Sequence, residues 1–176
     1  MNIKLRFFKV KEDVILPEKA TKSSACFDLR AYFGSGHRFF KVFDKYNKEQ
    51  QYMAFQLTDK EPVHTVLNPG DRALIPTGLV LGIPLGYSVR VHPRSGTSLK
   101  LGLGLTNSEG VIDEDYTKEL FISVINFSEC QITINHGERI AQIELVKTLE
   151  YSLEETLQPI SEKTDRTGGF GSTGKQ

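Results

Sequence analysis

Apolar residues recur at every second position through four stretches of this 176-residue chain: Tyr87-Ser88-Val89-Arg90-Val91, Phe121-Ile122-Ser123-Val124-Ile125, Gln131-Ile132-Thr133-Ile134 and Ile140-Ala141-Gln142-Ile143-Glu144-Leu145. Side chains alternate faces along an extended strand, so a period of two sends one apolar set to a core and one polar set outward. These stretches are predicted strands. The turn signals Asn68-Pro69-Gly70-Asp71, Pro76-Thr77-Gly78, Pro84-Leu85-Gly86 and Asn135-His136-Gly137-Glu138 punctuate the chain at short intervals. That rhythm favours an all-β sandwich or barrel over alternating βαβ units. No stretch has the 3.6 period of a long amphipathic helix. Gly104 to Gly110 reads as a short loop, and Ser152 to Leu157 as the only helical turn late in the chain.

Residues 34–66 have their own character. Arg38-Phe39-Phe40-Lys41-Val42-Phe43 and Tyr52-Met53-Ala54-Phe55-Gln56-Leu57 flank the polar run Asp44 to Gln51. An inserted β-hairpin fits, either packed on a barrel edge or presented to a protein partner. Hydrophobic residues make up 39% of the chain, with 11 Phe and 6 Tyr, enough for one domain over residues 1–161 to bury its own core. Residues 162–176 are almost devoid of apolar side chains except Phe170 and read as a flexible glycine-rich tail.

With 22 basic and 22 acidic residues the formal net charge is zero, which argues against a sequence-independent grip on nucleic acid. Cys26 and Cys130 are too few for a disulfide framework and have no Cys-x-x-Cys spacing for zinc. A reducing cytoplasm is the expected compartment. No run reaches the length of a membrane span or a signal core.

The strongest chemical signal is Gly110-Val111-Ile112-Asp113-Glu114-Asp115-Tyr116, where a carboxylate follows an apolar pair and precedes an aromatic ring. A carboxylate held rigidly on a tight turn and partly desolvated by such neighbours can accept a proton from water, which makes Asp113 a candidate general base. Read alone, the segment fits an acidic surface hairpin better. Arg94-Ser95-Gly96 provides a guanidinium, a hydroxyl and a glycine suited to a phosphate oxyanion. Gly137-Glu138-Arg139-Ile140-Ala141-Gln142 places polar Gln142 among apolar strand neighbours, in a site or facing solvent, while Arg139 reads as a strand-edge salt-bridge former. In the tail, Arg166-Thr167-Gly168-Gly169-Phe170-Gly171-Ser172-Thr173-Gly174 sets a phosphate fork, a stacking ring, free amides and hydroxyls side by side, the parts of a nucleotide lid.

Taken in order with Ala25-Cys26-Phe27-Asp28-Leu29-Arg30-Ala31, these segments closely resemble the five motifs of the trimeric dUTP pyrophosphatase family, over essentially the whole chain apart from the 34–66 hairpin. The resemblance implies a jelly-roll-like β-barrel and a homotrimer. Each active site would draw its first, second and fourth motifs from one subunit, the third from another and the tail from the remaining one. It implies hydrolysis of dUTP to dUMP and pyrophosphate, with magnesium as cofactor and Asp113 activating the water that attacks the α-phosphorus. By the same resemblance, Gln142 helps hold phosphate or that water, and Ser95 contacts the α and β phosphates in a loop shaped by Arg94 and Gly96. Asn107 and the backbone of Gly110, Val111 and Ile112 read the uracil edge. Tyr116 packs under the deoxyribose and excludes a 2′-hydroxyl, and Phe121 lines the pocket. Asp28 touches magnesium through water, Arg166 clamps the γ-phosphate, Phe170 stacks on uracil, and Gly171 and Ser172 complete the lid.

Several positions depart from the family pattern. Cys26 and Lys118 stand where glycine is usual, and either side chain would strain its turn by roughly 1 kcal/mol if the backbone requires φ > 0. Thr97-Ser98 replace an apolar pair, and Arg166 lies one residue closer to Gly-Gly-Phe than is common. Two alternatives stand beside the hydrolase. A dCTP deaminase of the same superfamily would need a glutamate on the strand after the third motif, where this chain has Ser123. A non-catalytic or dual-role nucleotide-responsive protein would use the 34–66 hairpin as its working surface.

Overall fold

The period-two stretches become strands of three antiparallel sheets in a computed structural model, which describes residues 3–34, 38–58, 60–161 and 163. In chain order the elements are β1 (Arg6–Lys9), β2 (Phe27–Arg30), β3 (Phe39–Phe43), β4 (Glu49–Met53), β5 (His64–Leu67), β6 (Arg72–Gly82), β7 (Tyr87–His92), the short helix α1 (Ser95–Leu101), β8 (Leu103–Leu105), β9 (Gly110–Ile112), β10 (Glu119–Asn126), β11 (Ile132–Asn135) and β12 (Arg139–Lys147). One sheet runs β4-β3-β6-β10-β8 with β1 also on β6, a second runs β2-β12-β7-β9, and β5 pairs β11. The architecture is all-β and jelly-roll-like, with sheets that stay open rather than closing into a continuous barrel.

Alternation puts Leu120, Ile122 and Val124 of β10, Val89 and Val91 of β7, and Ala141 and Ile143 of β12 into one core with Leu29, Ile75 and Leu79. Most are β-branched or γ-branched aliphatics, which pack well on a pleated surface. The face of β12 turned away from that core carries Gln142 and Glu144, both partly buried.

The 34–66 segment does contain a hairpin, and β3 continues the main sheet by pairing Val42 with Ala73 of β6. Its second strand is Glu49–Met53, earlier than the Tyr52–Leu57 read from the apolar pattern. The cause is local turn chemistry. The Asp44 carboxylate accepts bonds from the backbone N–H groups of Tyr46 (2.8 Å) and Lys48 (2.9 Å), and Asn47 takes φ 65°, so pairing resumes at once with Phe43 opposite Glu49. Those bonds hold the Asp44 carboxyl below its ordinary value, the Lys48 amide contributing most.

Pro76-Thr77-Gly78 is not a turn but an irregularity inside the eleven-residue β6. The register on β10 jumps there, Glu119 facing Val80 and Phe121 facing Pro76. Gly78 has φ 72°, and a Cβ there would lie 2.6 Å from Val14 Cγ2, so glycine is required on both counts. The Glu119 carboxylate accepts from Gly78 N at 2.7 Å and pairs with Arg38. The strand pattern also hid α1, whose only buried residue is Thr97. It is delimited by caps rather than periodicity, with Arg94 extended at its start and Gly102 left-handed (φ 73°) at its end. Ser152 to Leu157 forms no helical turn; the segment is irregular and exposed.

Candidate active site

Asp28 is the buried anchor of the first group of site residues. Antiparallel register sets Gln142 of β12 between Asp28 of β2 and His92 of β7. One Asp28 oxygen accepts from Arg94 Nε at 2.9 Å and the other from Arg139 Nη1 at 3.0 Å. Arg94 Nη1 also donates to the Arg139 carbonyl at 3.2 Å, and Gln142 Nε2 donates to the Pro93 carbonyl at 2.9 Å. A carboxylate and an amide thus fix the path of the chain into α1. Ser95 and Gly96 follow, both exposed. A Cβ on Gly96 would meet nothing within 4 Å, so the packing of this chain does not itself require glycine there. One carboxylate faces two guanidiniums, which leaves the group with a net positive charge able to receive an anion.

Asp113 to Tyr116 form the second group. The Tyr116 N–H donates to the Asp113 carbonyl at 3.2 Å, closing the turn read from the sequence, and Tyr116 Oη donates to the Glu119 carbonyl at 2.9 Å. Val111, Ile112, Asp113, Asp115, Tyr116 and Phe121, with Leu74 and Leu120, line a cleft of about 350 Å³. Gly110 lies against β7. A Cβ there would sit 3.1 Å from Val91 Cβ, so glycine lets β9 approach closely, and the Asn107 side-chain amide lies 3.6 Å from the same point. Asp113 also borders a larger cleft of about 640 Å³ with Ser88, Lys147 and Leu149. The expectation of a partly desolvated carboxylate is corrected here: Asp113 is exposed on the chain's own surface. Its apolar neighbours face the cleft and leave the carboxylate uncovered.

The two groups do not meet within one chain. Ile112 pairs Val89, which brings Asp113 alongside Ser88 at the start of β7, whereas Arg94 and Ser95 lie beyond its other end. From residue 88 to residue 94 at roughly 3.3 Å each, the separation is on the order of 20 Å. Arg166, Phe170, Gly171 and Ser172 lie outside the described residues.

Sequence reasoning underrated Arg139, whose ion pair with Asp28 spans 111 residues and has no local signal. It also missed Leu74 in the Tyr116 cleft. The strain foreseen at Cys26 and Lys118 is absent. Asn47 and Ser108 are the non-glycine residues with positive φ among those described, so both departures occupy ordinary backbone. Cys26 is partly buried, and burial, followed by the Glu144 and Asp28 carboxylates, pushes its thiol up, against a smaller opposing pull from Lys19. At the position where a deaminase would carry glutamate, Ser123 Oγ accepts a 2.7 Å bond from Thr106.

No helix among the described residues is long and apolar enough to cross a membrane. A family model described as dUTPase matches residues 55–174. The chain is 47% identical over 110 residues to the deoxyuridine 5'-triphosphate nucleotidohydrolase of Bdellovibrio bacteriovorus, covering 62% of this chain and 73% of that protein. Its fold is similar to that of the Staphylococcus bacteriophage 80alpha dUTPase with dUPNHPP, at TM-score 0.73 and 22% identity over 99% of this chain and 100% of that one. It is also similar to a mutant dUTPase from phage phi11 of S. aureus, described with a structural Mg(II) ion, at TM-score 0.66 and 20% identity over 90% and 100%. The family match takes in the Arg94, Asp113 and Gln142 segments together, and the chain belongs to the dUTPase family.

Proposed function

We propose that this protein hydrolyses dUTP to dUMP and pyrophosphate, lowering dUTP and supplying dUMP for thymidylate synthesis, in a homotrimer whose subunits share each active site. The carrying observation is the separation of Asp113 from Arg94 and Ser95. A base, its water and a phosphorus must come within about 3–3.5 Å of attack geometry, which groups on the order of 20 Å apart on one chain cannot achieve. A neighbouring subunit closes that gap. Its exposed Asp113 turn brings the base to the Arg94–Gln142 cluster, and assembly supplies the desolvation the single chain lacks.

In this reading Tyr116, Phe121 and Asn107, with the backbone of Gly110, Val111 and Ile112, enclose uracil and deoxyribose. A pocket lined by such groups rejects a ribose hydroxyl and a thymine methyl sterically, and cytosine through unpaired polar groups. Ser95 and Gly96 receive the α and β phosphates beside Arg94, and Gln142 keeps that loop in place while facing the water. Asp113 takes the water's proton as the oxygen attacks the α-phosphorus, and pyrophosphate departs with the bridging electrons. Arg166, Phe170, Gly171 and Ser172 would cover the nucleotide from the tail and exclude bulk water.

Magnesium fits only as an ion chelated by the triphosphate. Both Asp28 oxygens are taken by Arg94 and Arg139, so Asp28 can face the ion only through coordinated water. Bound there, the ion would neutralise phosphate charge. A protein-partner role of the hairpin is supported by Phe39 and Met53, which pair across its strands and are 61% and 41% exposed.

The deciding experiment is pyrophosphate release from dUTP, dCTP, dTTP and UTP, each with and without magnesium. Strong preference for dUTP with magnesium is expected. Equal rates on all four, or deamination of dCTP, would reject the assignment.

A further inference from the structure

Beside the Asp28 cluster, on the same face of the β2-β12-β7 sheet, lies a second group of side chains that the hydrolysis does not use. Cys26, His92 and Glu144 bring a thiol, an imidazole nitrogen and a carboxylate oxygen within 4.8 Å of one another, all partly buried. Their convergence follows from register: Phe27 faces Ile143, Gln142 faces His92, and Glu144 faces Arg90. Each donor stands two residues from a member of the candidate site, Cys26 from Asp28, His92 from Arg94 and Glu144 from Gln142. By that register His92 shares the cross-strand row of Asp28 and Gln142, while Cys26 and Glu144 stand in the adjoining row, about 7 Å along the strands.

The donor set has a definite preference. A thiolate, an imidazole and a carboxylate suit zinc and its neighbours in the transition series, whereas magnesium takes oxygen ligands. Thiolate and carboxylate together carry the two negative charges that balance a divalent cation. His92 Nε2 lies 3.0 Å from Glu144 Oε1, and its other nitrogen, Nδ1, lies 3.7 Å from Glu109 Oε1. A carboxylate behind the far ring nitrogen is the usual way a metal-binding histidine is oriented. Glu109 is in turn 3.9 Å from Arg90 Nη1. An ordinary His–Glu contact accounts for two of the three groups but not for the partly buried thiol of Cys26 beside them.

We propose that Cys26, His92 and Glu144 form a binding site for a zinc-class divalent cation, with Glu109 orienting His92 and the fourth position open to water. On binding, Cys26 Sγ releases its proton to solvent as the sulfur–metal bond forms, with no change of oxidation state. The site ties β2, β7 and β12 together next to the phosphate-facing row. It is independent of the reaction proposed above and separate from the magnesium that accompanies a triphosphate.

The test uses the full chain, freed of metal by a chelator and returned to magnesium buffer, then titrated with Co2+ and back-titrated with Zn2+. A thiolate-to-cobalt charge-transfer band should grow to one equivalent per chain and vanish as Zn2+ displaces Co2+. Cys26→Ser should abolish the band. His92→Gln should weaken cobalt affinity about tenfold or more, and Cys130→Ser should change nothing. Absence of the band, or its loss in Cys130→Ser with retention in Cys26→Ser, overturns the proposal. Should Cys26→Ser fail to give a folded circular-dichroism spectrum, His92→Gln decides, because undiminished affinity in that variant also overturns it.

Discussion

Asp28 and Arg94 lie 66 positions apart in the chain, yet the Asp28 carboxylate receives the Arg94 guanidinium at 2.9 Å. Arg139 occupies the second oxygen at 3.0 Å, so one buried anion fixes the ends of three segments: β2, the loop into α1, and β12. The arrangement is structural and chemical at once. It holds two cations in place and leaves their remaining N–H groups free for an anion.

Asp28→Asn should therefore destabilise the fold by about 1–3 kcal/mol, since the amide cannot satisfy two guanidiniums around a buried position. Urea unfolding of the variant checks this. An unchanged midpoint and slope would mean the ion pairs are incidental.

The proposed sharing of the site between subunits predicts complementation. Asp113→Asn and Arg94→Ala should each lower turnover, the first by about 10²–10⁴-fold. Unfolding and remixing the two proteins should restore part of the activity, because some mixed trimers pair an intact Asp113 turn with an intact Arg94 cluster. Mixtures no faster than the parents would place both groups on one chain.

Gly110→Ala should lose about 1–3 kcal/mol of stability, because its methyl would stand 3.1 Å from Val91 Cβ and push β9 off β7. In a Val91→Gly background, which lacks that Cβ, Gly110→Ala should cost less. Additive destabilisation in a double-mutant cycle would show that the close approach is not the cause.

Tyr32 gives a pH signature. Burial, reinforced by the 2.7 Å hydrogen bond to Asp13, pushes its phenol up to about 12. The unfolded chain releases this proton at its ordinary value of about 10, while the folded chain retains it. Stability from this group is therefore complete below about 10 and is lost as pH rises to about 12, at roughly 1.4 kcal/mol per pH unit. Thermal melts across that range should decline less steeply for Tyr32→Phe than for the unaltered protein.

In the proposed reading, removal of residues 162–176 leaves thermal unfolding nearly unchanged and reduces dUTP turnover sharply, because Arg166 and Phe170 would no longer cover the nucleotide. An undiminished rate would make the tail dispensable for the chemistry.

Short-range physics made much of this molecule legible beforehand. The alternation around Ile122 and Val124, or Ile140 to Leu145, announces strands because a two-residue period has only one compatible backbone. Asn135-His136-Gly137-Glu138 announces a turn for reasons confined to those residues, and the Asp113–Tyr116 turn stands where its own sequence puts it. Other features could not be read locally. Pro76-Thr77-Gly78 has the chemistry of a turn, but pairing with β10 draws it into a long strand as an irregularity. Arg139 looks like any edge arginine until the register of β12 sets it against Asp28. The identity of each chemical group was thus written in the one-dimensional chain. Which groups face one another, and which are kept apart at the two ends of β7, was decided by strand pairing, because contacts across a sheet join residues whose sequence separation carries no signal of its own.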